Sequence, residues 1–80
     1  MRRSEFLTVN REMLSSLMEN CFVQIEIEDE KDFSFMRVLV PERYHLEKGD
    51  LRDIAKANLV LTYIGRCQQF TELIFEFSNL

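Results

Sequence analysis

One histidine, His45, and two cysteines, Cys21 and Cys67, are the residues of this 80-residue chain best suited to acid–base, nucleophilic or metal chemistry. His45 lies in the run Glu42-Arg43-Tyr44-His45-Leu46-Glu47, where Glu42 or Glu47 would orient it as a general base. Such a base needs a nucleophile or a held water beside it, and the spacing supplies neither. An exposed loop histidine explains the same pattern. Structural zinc sites use paired ligands at close spacing, such as Cys-x2-Cys, and Cys21, Cys67 and His45 form no such pair. The two thiols read as reduced core residues, not as a disulfide framework. Gly49 and Gly65 are the only glycines, too few and too far apart for a phosphate-binding loop. The expectation is a protein with no catalytic residue, no metal and no cofactor, acting by binding and not as an enzyme.

Charge supplies two candidate binding sites. Glu26, Glu28, Asp29, Glu30 and Asp32 crowd one strand face and the turn beyond it. They would dock on a protein partner with a basic surface, although an ordinary solvated hairpin tip looks the same. Arg52, Lys56 and Arg66, with Tyr63, fall on one arc of a helix and are the candidate nucleic-acid contact. The net charge of −4 works against that second reading, because an acidic field repels both phosphate backbones and anionic membranes.

The elements that must carry these residues are legible from hydrophobic period. Phe6, Leu7, Met13, Leu14, Leu17, Met18 and Cys21 make one apolar stripe, predicting a helix over about 5–19 with Ser4 or Asn10 as its N-cap. The period then falls to two. Val23, Ile25 and Ile27 alternate with Gln24, Glu26 and Glu28, so 22–28 reads as a strand with one wet face. Residues 33–40 form a second strand, apolar on both faces and ended by Pro41, and the two make a hairpin. Asp50, with Asp53 three residues on, marks the start of a second helix. Leu51, Ile54, Ala57, Leu61 and Ile64 share one arc, which carries that helix to about Gly65–Gln68. Further extension would bury Glu72 and Glu76, so Leu73, Phe75 and Phe77 read as a third strand, 71–78. The alternative is one long C-terminal helix.

The expected fold is therefore a single α+β domain over 1–80, ordered α-β-β-α-β. It has a three-stranded mixed sheet, the last strand parallel to 33–40, and two helices on one face. Two helices leave the other face open. Phe22 and Ile74, with either Met36, Val38 and Val40 or Phe33, Phe35 and Leu39, would form an apolar patch there, and a homodimer is expected to cover it. No apolar run approaches the ~20 residues of a membrane span. Glu5, Asn10, Arg11 and Glu12 interrupt any signal-peptide core, so a cytoplasmic location is expected. Together these features point to a small acidic protein-interaction module. Inhibitors, adaptors and regulatory subunits are of this kind, including those encoded by phages and mobile elements. A small nucleic-acid-binding regulator is the alternative.

Overall fold

Burial alternates strictly along Phe33–Pro41: Ser34, Met36, Val38 and Val40 are buried, while Phe33 and Phe35 are exposed and Arg37 and Leu39 half-buried. A strand that buries only its even residues has one covered face, and the fold is built on that asymmetry. The computed structural model describes residues 3–27 and 30–78. In chain order its elements are α1 (Arg3–Asn10), α2 (Ser15–Asn20), β1 (Phe22–Glu26), β2 (Phe33–Pro41), α3 (Lys48–Lys56), β3 (Val60–Cys67) and β4 (Phe70–Ser78). The four strands form one sheet, ordered β1-β2-β4-β3, with every neighbouring pair antiparallel.

The register places Ile25, Met36 and Phe75 in one row and Val23, Val38 and Leu73 in the next, all on the same face. Phe6, Leu14, Leu17, Cys21, Ile54 and Leu59 join them in one buried core. Phe6 stacks on Phe77 with ring centroids 4.2 Å apart. Each such side chain taken out of water contributes about 1.5–3 kcal/mol, so this layer supplies most of the fold's stability.

The sheet overturns two expectations: it has four strands and not three, and it is antiparallel and not mixed. The predicted hairpin is present as β1 and β2, but its first strand ends at Glu26 and not at 28, which lies outside the described residues. The last strand does lie beside β2, but it runs antiparallel to it. The reason is the second helix, which stops at Lys56 instead of near Gly65. Asn58 takes a left-handed conformation, with φ 56°. Its N–H donates to the Ala55 carbonyl at 3.1 Å, and the Leu59 N–H to the Ile54 carbonyl at 3.2 Å. This is a Schellman stop, sealed by the buried pair Ile54 and Leu59. The freed chain, rich in β-formers at Val60, Thr62, Tyr63 and Ile64, becomes β3. That extra strand reverses the chain once more, so β4 returns antiparallel; the long C-terminal helix is excluded by the same finding.

The helices start differently as well. The predicted helix 5–19 is two short ones, divided by a turn at 11–14. The Asn10 side chain, buried, donates back to the Phe6 carbonyl at 3.0 Å and closes α1, so it is not an N-cap. For α3 the N-cap is Glu47 and Asp50 is its capping-box partner, accepting from the Glu47 N–H at 3.1 Å.

Two stability predictions follow from this architecture. Met36→Ala should cost about 2–5 kcal/mol, because it opens a cavity in the covered layer. Phe33→Ala, three residues away on the other face, should cost under about 1 kcal/mol; urea unfolding of the two variants reads the contrast. The β3–β4 turn is only Gln68-Gln69, and Gln68 has φ 57°. A side chain pays for that geometry, so Gln68→Gly should stabilise by about 0.5–1 kcal/mol, read as a higher urea midpoint at unchanged slope.

Candidate functional site

The face of the sheet turned away from the helices carries Phe22, Gln24 and Glu26 from β1, and Phe33, Phe35, Arg37 and Leu39 from β2. It continues with Glu72, Ile74 and Glu76 from β4 and Tyr63 from β3. Phe22 is 64% exposed, Phe33 50%, Phe35 38% and Tyr63 48%. Such exposure of aromatic rings sets this face apart from a solvated antiparallel sheet, whose outer residues are polar. The apolar open face is thus the one bearing Phe33, Phe35 and Leu39, with Phe22 and Ile74 beside them.

A shallow groove of about 410 Å³ runs across it, lined by Gln24, Glu26, Phe35, Arg37, Tyr63 and Ile74 among others. Phe35 and Tyr63 are its walls. They stand on β2 and β3 with β4 between, so two ladder spacings, roughly 10 Å, separate their strands. Tyr63 is held down over Gly65: a Cβ on that glycine would collide with the Tyr63 hydroxyl and ring. The missing side chain is what lets the ring lie flat along β3.

Arg37 forms the floor. Its Nε donates to Glu72 at 2.5 Å, and its Nη2 approaches the Cys67 sulfur at 3.6 Å. The hydrogen bond to Glu72 pushes the guanidinium still further toward its charged form. The cation is therefore neutralised within the face. Glu26 and Glu76 add negative charge, and Glu30 and Asp32 in the adjoining turn line a second depression with Lys31, Phe33, Phe35 and Glu76, where the acids outnumber the single cation. Glu26, Glu30 and Asp32 of the acidic cluster are exposed. Glu28 and Asp29 of that cluster lie outside the described residues. The aromatic face and the acidic hairpin are thus contiguous. Sequence reasoning separated them because it gave Phe35 and Tyr63 to different kinds of element.

The basic candidates are dispersed. Arg52 and Lys56 remain exposed on α3, but Arg66 and Tyr63 are on β3, so the basic face of a long helix does not form. Arg66 instead pairs with Glu42 at 3.9 Å, both side chains well exposed. His45 is exposed in the connection before α3. Cys21 is buried, and burial first, with the nearby Asp50 charge second, raises its thiol pKa from 9.0 to about 11. A thiol so protonated is a poor nucleophile. Among the described residues, no three His, Cys, Asp or Glu side chains gather as a metal site. Likewise no helix among them is long and apolar enough to cross a membrane. No protein-family model, curated protein or solved structure matches the chain.

Behind the open face, Tyr44 donates to the Asp50 carboxylate at 2.5 Å, tying the 41–47 connection to α3. That hydrogen bond, followed by burial, raises the Tyr44 pKa, as burial raises that of Cys21. Both groups hold their protons more tightly folded than unfolded. Their contribution is complete below the unfolded values and is lost as pH rises through the folded ones. Stability to urea should therefore fall progressively between pH 9 and pH 11. The Cys21→Ala, Tyr44→Phe double variant should show a flatter decline over the same window.

Proposed function

We propose that this chain is a small protein-interaction module that acts by binding, with the open sheet face as its docking surface. The observation that carries the reading is the set of exposed aromatic residues Phe22, Phe33, Phe35 and Tyr63 distributed over one sheet face, with Glu26, Glu30, Asp32 and Glu76 among and beside them and Lys31 as the one cation of the adjoining turn. Such a surface complements a protein with an apolar centre and a basic border. The groove between Phe35 and Tyr63 suits a lysine or arginine of that partner. Its stem would pack against the rings, and its charge would meet both the ring faces and Glu26. Inhibitor, adaptor and regulatory-subunit roles all use a surface of this kind. The two free thiols fit a reducing, cytoplasmic setting.

Aromatic sheet faces also stack nucleic-acid bases, as in the four-stranded RNA-binding sheets. Those faces sit in a positive field, whereas here Arg37, the only cation lining the groove among the described residues, is paired to Glu72. The charge pattern therefore favours a basic protein over a phosphate backbone.

The test has two variants. Phe35→Glu should abolish capture of the protein that the wild-type chain retains, with unchanged circular dichroism. Reversal of Glu26, Glu30 and Asp32, all exposed, to Lys should leave the fold intact and slow association about tenfold or more at low salt, the difference shrinking as salt rises. If both variants bound the captured protein as the wild type does, the open face would be excluded as the docking surface.

A further inference from the structure

We infer that β3 is a dimerisation edge, at which a second copy of this chain lays its own β3 antiparallel to Val60–Cys67. The two four-stranded sheets then become one of eight strands. This surface is distinct from the docking face, and the inference does not depend on the reading given for that face.

β3 is the outermost strand, bonded to β4 on one side only. Its other side offers a row of backbone donors and acceptors, the template on which a further strand pairs. Natural edges are usually blunted by shortness, charge or proline. The opposite edge, β1, has such protection: it is five residues long, ends in Glu26 and leads into the acidic turn. β3 is eight residues long, and Val60-Leu61-Thr62-Tyr63-Ile64-Gly65 contains neither a charge nor a proline. A bulge at Thr62 is its one irregularity, which leaves Tyr63–Cys67 as the regular stretch for pairing.

Side-chain exposure agrees with an occupant on this edge. Leu61 and Ile64 lie on the helix side of the sheet, yet Leu61 is 49% and Ile64 64% exposed, because the helices stop short of β3. Across a two-fold seam through Gly65, Ile64 would pack against the aliphatic stem of Arg66 of the second copy on the helix side. On the other side, Tyr63 would lie opposite Cys67 of the second copy.

Charge selects the second copy and selects the edge. The one charge on β3 is Arg66, and when Tyr63–Cys67 pairs with itself Gly65 lies at the two-fold axis and Arg66 falls opposite Ile64, so no like charges stand directly opposite. Stacking two open faces would instead set Glu26, Glu72 and Glu76 against their own copies. The homodimer expected from the apolar open face is thus better accommodated at β3, where the surface is self-complementary as a two-fold contact requires.

Sedimentation equilibrium of the purified full chain across low to high micromolar concentrations, with hydrogen exchange on the same samples, tests this. The wild type should be a dimer, and amides within 60–67 should gain protection as concentration rises. Ile64→Lys should raise the dimer dissociation constant about tenfold or more, while Phe35→Glu leaves it unchanged. A wild-type monomer throughout would overturn the inference. So would a dimer that Phe35→Glu breaks and Ile64→Lys does not, or one whose 60–67 amides show no concentration-dependent protection. The exchange measurement needs no variant, so misfolding of Ile64→Lys would not spare the inference. Loss of partner capture by Phe35→Glu bears only on the docking face.

Discussion

A sheet needs at least one face out of water, and the described residues supply three short helices with which to cover it. At 1.5 Å per residue, α1, α2 and α3 are roughly 9–14 Å long, whereas β2 and β4 each extend roughly 30 Å. Helices of that size reach across β1, β2 and β4 on one side and no further. The core follows from this limit: Met36 and Val38 sit fully buried at its centre, and Phe6 clamps Phe77 at its border. The exposure of Ile64 and the nakedness of the opposite face follow from the same limit.

The open face reconciles two demands that ordinarily conflict. Apolar rings in water invite association, while a domain must still remain dispersed. Here the rings are interleaved with carboxylates, and Arg37 is bound to Glu72 so that the field over the face stays negative. Under the proposed reading, one charge pattern supplies both attraction to a surface with basic borders and repulsion from identical faces. Gly65 adds a local device, since only a residue without a side chain lets Tyr63 lie along the strand as a groove wall.

The two ends of α3 govern the topology. At its start, Glu47 and Asp50 satisfy each other's backbone donors, and Tyr44 adds a third hydrogen bond to the same carboxylate. The polar connection after β2 is thereby locked against the core. At its end, the Asn58 stop turns the chain outward and releases the β-rich segment that follows. A helix three turns longer would have consumed that segment, leaving β2 and the last strand to pair in parallel.

The sequence by itself determined the covered layer. Period two at Val23–Ile27, the doubly apolar strand 33–40 and the alternation at Leu73–Phe77 were legible because strand burial repeats every second residue. The wet side of Glu26 was legible for the same reason and the polar turn of Glu30 and Asp32 from its charge, whereas which face of the doubly apolar strand 33–40 stays open was decided only by where the helices pack. Only the tertiary structure decided where α3 ends and what 60–67 becomes. Leu61 and Ile64 satisfy a helical arc as well as they satisfy one side of a bulged strand, and a bulge at Thr62 is invisible to periodicity. The tie was broken by packing of Leu59 against Ile54 around a left-handed asparagine. With it went the basic helix face of Arg52, Lys56 and Arg66, since a helix face exists only while the helix continues. The joining of Phe35 and Tyr63 into one groove belongs to the tertiary structure too, because β4, the strand that sets them two spacings apart, comes last in the chain.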